Sequence, residues 1–165
     1  MIRTARLILR PFALVDVPKV FAMGDEAGMR RWIPDQVYRD AAHAEQVVRA
    51  LMAHTANAPD PSVHPYVLGI EETATGELIG HVGVSPARGS VEIGYAIEDR
   101  RQGHGFATEA VAAMAKWASL PELLGIVAVD NVGSCRVLEK AGFVRGEVTG
   151  AQRIYRYAPR IRTGS

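Results

Sequence analysis

The sequence predicts an α+β fold built on a mixed sheet of about seven strands. Two patterns lead to this expectation: short runs alternating between apolar and polar residues are typical of strands, and apolar residues at helical spacing are typical of helices. Strand patterns lie both before and after two central helix patterns. With 165 residues, of which 48% are hydrophobic, the chain is expected to form a single domain over residues 1–165.

The first half of the chain is expected to supply three strands and three helices. In chain order the segments are a strand at 6–12, a helix capped by Asp16 and ended by Gly24, a short helix broken by Pro34, a helix at 40–55, a proline-rich loop at 57–65, and a hairpin of strands at 66–72 and 77–84.

The second half is expected to complete the sheet around the two central helices. In chain order the segments are a strand at 91–97, a helix at 108–119, a strand at 125–129, a helix at 131–141 stopped by Gly142, and a closing hairpin of strands at 144–149 and 152–157.

A glycine loop between the strand at 91–97 and the next helix predicts a phosphate site. Gly103 and Gly105 allow backbone N–H groups to point one way, beside the positive end of a helix dipole. A mononucleotide loop is excluded because Phe106 follows where Lys is needed, and Thr108 fits a dinucleotide fingerprint badly. On these residues alone, an ordinary glycine-rich turn remains the alternative.

Three ordered motifs resemble those of the GNAT acetyltransferases. The loop at 100–105 reads RRQGHG and is similar to their Gln/Arg-x-x-Gly-x-Gly/Ala loop. The segment at 127–143 contains Asn131, Ser134 and a Gly-Phe ending, like the strand and helix that follow in that family. The opening at 4–12 resembles the first strand of the RimJ/RimL-type branch, the ribosomal-protein N-acetyltransferases. Together the matches span about residues 4–157.

The resemblance implies a GNAT fold, with helices on both faces and a gap between the splayed fourth and fifth strands. The thioester of acetyl-CoA would enter this gap, because splayed strands leave backbone N–H and C=O groups that the pantetheine amides can satisfy. No metal is expected. The expected cofactor contacts are Ala96 and Ile97 for the arm, Gln102, Gly103, His104 and Gly105 for the pyrophosphate, and Arg100, Arg101, Thr108, Asn131 and Ser134 beside them. Arg100 could instead be an exposed loop residue, and Asn131 could be only a helix cap.

Glu92 is the first candidate for the general base. An amine acceptor, with a pKa of about 8 to 10, must lose a proton before it can attack. Glu92 is a charged residue in an otherwise apolar strand, and some GNAT members use a glutamate at the matching position. A solvent-exposed glutamate is the alternative. His81 is the second candidate, with a hydrogen-bonded structural histidine as its alternative.

Ser134 is the candidate partner of the departing thiolate. Many GNAT enzymes carry a tyrosine four residues before the Gly of the Gly-Phe ending, and Leu138 stands there in this chain. The resemblance to the RimJ/RimL branch then implies that Ser134, directly or through water, donates the proton or the hydrogen bond.

The amine acceptor is expected to contact the proline-interrupted segment after the first helices. Trp32, Asp35 and Tyr38 would supply an aromatic wall and one carboxylate, which suit a cation. Because tryptophan is mostly buried whatever its role, a core position for Trp32 remains open.

The expected function is that of a cytoplasmic N-acetyltransferase for a primary amine, either a protein N-terminus or a small molecule. The alternative is an acetyl-CoA-binding regulatory module. Nineteen basic and eighteen acidic side chains give a net charge of +1, which argues against nucleic-acid and membrane partners even with arginines clustered at Arg153, Arg156, Arg160 and Arg162. The single cysteine, Cys135, excludes an internal disulfide. No signal peptide or membrane span is apparent, and a monomer or homodimer is expected.

Overall fold

The computed structural model describes residues 1–57 and 60–159. Its strands are β1 (Ile2–Arg3), β2 (Leu7–Arg10), β3 (Tyr66–Glu72), β4 (Leu78–Ala87), β5 (Ser90–Ile97), β6 (Leu123–Ala128), β7 (Val144–Thr149) and β8 (Gln152–Tyr157). Its helices are α1 (Val17–Gly24), α2 (Ala27–Trp32), α3 (Ala41–Ala56), α4 (Phe106–Ala118) and α5 (Val132–Lys140). The predicted α+β class is confirmed.

The strands form one mixed sheet in the order β1-β2-β3-β4-β5-β6-β8-β7. Every neighbouring pair is antiparallel except β5 and β6, which are parallel. These two share a single paired position, Glu92 with Leu124, and separate beyond it. The expected splay between the strands around 91–97 and 125–129 is therefore confirmed.

Over the described residues the sheet has eight strands, because a short first strand precedes those that the sequence predicts. Ile2 pairs with Leu9 and Arg3 pairs with Ile8 across a turn. Two residues are too few for an alternating pattern to be recognised, so this strand depends on its neighbour rather than on its own periodicity.

Both faces of the sheet are covered by helices. The face toward α4 and α5 has a core that includes Leu68, Ile70, Val82, Val84, Ile93, Ile97, Phe106, Ala110, Val111, Met114 and Leu138. The face toward α1 and α3 has a smaller core of Phe12, Val17, Val20, Ala44, Val48 and Leu78. Burial of these apolar surfaces holds the two helix layers on the sheet.

The expected capping role of Asp16 is wrong in detail. Asp16 occupies the N-cap position of α1, but its side chain makes no capping hydrogen bond. The carboxylate instead accepts hydrogen bonds from both Nη atoms of Arg10, at 2.8 and 2.9 Å, and from the backbone N–H of Ala13, at 2.8 Å. A buried carboxylate gains more from a bidentate guanidinium than from one helix N–H.

Several element boundaries differ from the sequence pattern; strand β4, for example, runs to Ala87 rather than 84, and β2 ends at Arg10 rather than 12. Helix α4 starts at Phe106, ahead of the predicted 108, because Gly105 has a φ of 81° and acts as the N-cap. Strand β6 starts at Leu123, ahead of the predicted 125, where Leu123 and Leu124 are buried. Both shifts follow from tertiary packing and backbone geometry that hydrophobic periodicity does not encode.

Some predicted features fall partly or wholly outside the described ranges. The loop at 57–65 is described except at 58 and 59, and Asp60 shapes its end by accepting the N–H of Ser62 at 2.9 Å. Arg160 and Arg162 lie outside the described residues. Among the helices that are described, none has the length and apolarity to cross a membrane.

Candidate active site

A cleft of about 850 Å³ opens where β5 and β6 separate. One wall is formed by α2 and the short turn after it, and the opposite wall by the first turns of α4 and α5. The side chains of β5 alternate between faces, so Glu92 lies on the α1/α3 face and Tyr95 on the α4/α5 face. Both residues line the cleft, which therefore passes through the sheet. Groups that reach the gap from opposite faces can therefore act on one bound molecule.

The glycine loop presents a row of backbone N–H groups to this cleft. Gly103 and Gly105 have φ values of 79° and 81°, a left-handed conformation that residues with a Cβ rarely adopt. Within 1–57 and 60–159, the N–H groups of 103–108 find no protein acceptor, whereas that of Gln102 donates to Asp99 O. Unsatisfied N–H groups at the positive end of α4 are suited to a pyrophosphate, so the residues fit acetyl-CoA there.

Gln102 connects the loop to the end of β5. Its side-chain Nε2 donates to Ile97 O at 3.0 Å and to Asp99 Oδ1 at 3.3 Å. Ala96 and Ile97 line the cleft beyond the last β5–β6 pair. The carbonyl of Ile97 already has a partner, which leaves fewer free groups on β5 than the sequence suggests.

Arg100 and Arg101 belong to an ion-pair network on the turn that leads into the loop. Arg101 pairs with Glu72 and Glu77 and lies 3.5 Å from Glu98. Arg100 pairs with Glu98 at 3.0 Å and with Glu77 at 3.3 Å. Arg101 lines the cleft, but Arg100 does not. The carboxylates neutralise both guanidinium groups, which points to a role in holding the turn.

Two predicted loop residues lie in different surroundings. Thr108 lines the cleft in the first turn of α4, whereas His104 lines a separate small hollow beside Arg6 and Phe106. Arg6 donates to His104 O at 2.9 Å and pairs with Glu109 at 2.8 Å. Sequence reasoning assigned Arg6 no such role, because a contact between the first strand and α4 leaves no local pattern.

Asn131 and Ser134 come together at the N-terminus of α5. Asn131 Oδ1 accepts the N–H of Ser134 at 3.2 Å, so Asn131 is the N-cap. Both residues line the cleft. Over the part of the chain that the structure describes, the Ser134 hydroxyl has no hydrogen-bond partner.

Glu92 stands at the point where the sheet opens. It is the β5 residue that pairs with β6, it faces Ser85 across β4, and it is half-buried in the cleft lining. Burial raises the pKa of Glu92, and the positive charge of Arg88 partly offsets this rise. A carboxyl with a raised pKa is better matched to taking a proton near neutral pH.

His81 lies apart from the cleft lining. It pairs with Ala96 across β4 and β5 and is buried on the face toward α1 and α3. Burial lowers the pKa of His81 to about 4, so the imidazole is neutral at pH 7. The structure does not bring His81 together with Glu92 and Ser134 in the cleft.

The three candidate acceptor residues separate into two groups. Trp32 and Asp35 line the cleft, and Trp32 belongs to neither core cluster of the described chain. Tyr38 is absent from the lining: its ring packs against Gly24, and it meets the His43 ring edge-on at 5.6 Å. The proline-interrupted segment thus divides between the cleft and the α1/α3 layer.

Tyr95, which lines the cleft, and Arg88, which contacts the cleft residue Gln152, were not singled out from the sequence. Tyr95 donates its hydroxyl to Ser134 O at 3.1 Å, and Arg88 donates to Gln152 Oε1 at 2.7 Å. Strand alternation places Tyr95 opposite Glu92, but its contact with α5 depends on how the helix packs. Arg88 has a φ of 51° at the tip of the β4–β5 turn, a conformation that the sequence does not indicate.

Comparisons with known proteins agree with this geometry. The model of the acetyltransferase (GNAT) domain family matches residues 6–144. The protein named uncharacterized N-acetyltransferase YnaD, from Bacillus subtilis strain 168, is 25% identical over 150 residues, which are 87% of this chain and 82% of that protein.

Two solved structures share the fold. The GNAT-family acetyltransferase from Bacillus anthracis superposes with a TM-score of 0.79 at 20% identity, over 95% of this chain and 97% of the other. RimJ from Mycobacterium smegmatis, solved with CoA-disulfide, has a TM-score of 0.74 at 19% identity, over 96% of this chain and 85% of the other. The chain therefore belongs to the GNAT acetyltransferase family and is an acetyl-CoA-dependent acetyltransferase.

Proposed function

We propose that this enzyme transfers the acetyl group of acetyl-CoA to a primary amine, either a protein N-terminus or a small molecule, by direct attack in a ternary complex. The observation that carries the proposal is the gap in the sheet that begins at Glu92. A half-buried carboxylate lies at the start of this gap, and unsatisfied N–H groups of 103–108 lie at its other end. The proposal assigns the activity to one domain over 1–165, acting in the cytoplasm as a monomer or homodimer.

On the donor side, the chain supplies binding and a hydrogen bond to the leaving sulfur. The N–H groups of 103–105 hold the pyrophosphate, and β5 beyond Glu92 pairs with the pantetheine amides where β6 has moved away. Acetyl-CoA supplies an activated thioester. Among the described residues the Ser134 hydroxyl has no partner, and Ser134 lines the cleft on the α5 side, so the hydroxyl donates a hydrogen bond to the departing sulfur.

On the acceptor side, the chain supplies a cation site and a base. Asp35 and Trp32 line the end of the cleft toward α2, where a carboxylate and an aromatic ring attract an ammonium group. Glu92 takes the proton, since burial raises its pKa and it lines the same cleft as Asp35 and Trp32. Glu92 thus removes the amine proton on one face of the sheet, and Ser134 stabilises the leaving thiolate from the other face while solvent supplies its proton.

Leu138 favours the second candidate function, a regulatory module that binds acetyl-CoA without turnover. Leucine has no phenol to protonate the thiolate, and it stands at the position where many relatives carry a tyrosine. Its side chain is fully buried against Gly125. Release of free thiol from acetyl-CoA, measured across peptides, polyamines and aminoglycosides, separates the two functions. Calorimetric binding of acetyl-CoA with no thiol release for any amine would favour the regulatory module.

Replacing Trp32 with Ala is expected to raise the Michaelis constant for the amine about tenfold, because a cation over an aromatic ring is worth roughly 1 to 2 kcal/mol. The melting temperature should change little, since Trp32 lies outside both core clusters. Trp117→Ala is the matched control: Trp117 is 48% exposed and stacks on Tyr66 away from the cleft. A large fall in melting temperature with unchanged amine kinetics would instead assign Trp32 to the core.

Replacing Arg88 with Ala is expected to move the acid limb of the activity profile to higher pH. The Arg88 charge lowers the pKa of Glu92, so its loss lets burial raise that pKa further. The base is active when deprotonated, and activity is then lost at a higher pH as acid is added. The measurement is kcat/KM against pH, with Arg3→Ala on the far edge of the sheet as the control. An unshifted limb would mean that another group controls it.

A further inference from the structure

We infer that Tyr95 is a positioning residue that sets the place of the Ser134 hydroxyl in the cleft. The inference rests on the proposed function, because it assigns a purpose to the thiolate partner. Tyr95 lies on β5, on the face toward α4 and α5, and its hydroxyl donates to the backbone carbonyl of Ser134 at 3.1 Å. The contact joins β5 to α5 across the opening of the sheet.

Both backbone polar groups of Ser134, its N–H and its C=O, make hydrogen bonds to side chains. Its N–H donates to Asn131 Oδ1 at 3.2 Å, and its carbonyl accepts from Tyr95. Its side-chain hydroxyl has no partner in residues 1–57 and 60–159, and the residue lines the cleft. The chain therefore constrains the backbone of Ser134 while leaving the reactive oxygen available for the sulfur.

The sheet itself does not fix α5 relative to β5. The two strands share only the pair of Glu92 and Leu124, and α5 follows directly after β6. The expected thioester position is set by β5 and the glycine loop, whereas Ser134 is carried by the β6 side. Helix α5 also packs in the core shared with β5 and α4, and the Tyr95 hydrogen bond adds a direct link from β5 to Ser134 itself. Such a link can fix the hydroxyl finely, because hydrogen bonds weaken steeply with misalignment.

Tyr95 is suited to act as a constant donor. Burial raises the pKa of Tyr95 to about 12, with the hydrogen bond to Ser134 acting in the opposite direction. The phenol therefore keeps its proton throughout the pH range in which the amine can react. A donor that never ionises can hold the helix without adding a pH dependence of its own.

The test is a double-mutant cycle of Tyr95→Phe and Ser134→Ala. We expect Tyr95→Phe to lower kcat about fivefold to tenfold, as for loss of one neutral hydrogen bond, with acetyl-CoA affinity unchanged. In the Ser134→Ala background, the same change should have almost no further effect on kcat, because the hydroxyl it positions is gone. Tyr155→Phe is the matched control, since it removes a buried hydroxyl that bonds to Glu139 on the same helix at 2.9 Å.

Amide hydrogen exchange of α5 supplies a readout that does not need turnover. Tyr95→Phe should speed exchange in the first turn of α5, whereas Tyr155→Phe should not. Three results would overturn the positioning role: Tyr95→Phe abolishes kcat in both the wild-type and the Ser134→Ala background, it weakens acetyl-CoA binding, or it leaves amide exchange in the first turn of α5 unchanged. Wild-type protein that releases no thiol with any amine would refute the proposed function instead, and exchange would still decide the role of Tyr95.

Discussion

Replacing Glu92 with Gln is expected to lower kcat by about 10²- to 10⁴-fold, the usual loss when a general base is removed. Glutamine keeps the size of the side chain and its polarity but cannot accept a proton from the amine. Acetyl-CoA affinity should stay nearly unchanged, because Glu92 lies at the start of the sheet opening, away from the glycine loop. Steady-state kinetics of thiol release and calorimetry of acetyl-CoA binding measure the two quantities separately.

The second carboxylate of the cleft provides the matched comparison. Asp35→Asn removes the same charge from the same cleft, and it is expected to raise the Michaelis constant for the amine more than it lowers kcat. Equal losses of kcat in both variants would show that the cleft needs negative charge rather than a base at Glu92. Full activity of the Glu92 variant would eliminate this residue, and a remaining pH limb would direct attention to a base that acts through water.

Replacing Gly105 with Val is expected to weaken acetyl-CoA binding about 100-fold, equivalent to the loss of roughly 3 kcal/mol of charge-assisted hydrogen bonds. Gly105 has a φ of 81°, so a β-branched side chain would force the backbone out of its conformation and turn the N–H groups away. An added Cβ would also lie 3.3 Å from Arg6 Nη2. The strain itself should cost only about 1 to 2 kcal/mol of folding stability.

Gly150→Val separates strain from function in this experiment. Gly150 lies in the β7–β8 turn with a φ of 61°, and a Cβ there would meet nothing within 4 Å. It should therefore lose similar stability without losing acetyl-CoA affinity. Calorimetric titration of both folded variants is the measurement. Unchanged affinity in the Gly105 variant would exclude the loop as the pyrophosphate site.

Local features of the chain were predictable from sequence because local physics determines them. The glycine pattern at 103–105 predicted a turn into a helix, and both glycines have the left-handed φ that makes a Cβ unfavourable. Asn131 was foreseen as a possible N-cap, and its side chain accepts the expected N–H. Alternation along β5 puts Glu92 and Tyr95 on opposite faces, as the two-residue repeat of any strand requires.

Only the tertiary structure decided which of these residues share the cleft. Strand alternation assigns a face but not what packs on it, so it could not separate Glu92 at the sheet opening from buried His81 farther along the same face. Arg100 also has carboxylate partners distant in sequence, such as Glu77. By itself, the sequence determined seven of the eight described strands, the five helices, the glycine loop and the Asn131 cap, because each depends on residues close along the chain. Pairing across the sheet, ion-pair partners and the contact of Tyr95 with α5 depend on residues far apart, and packing alone brings them together.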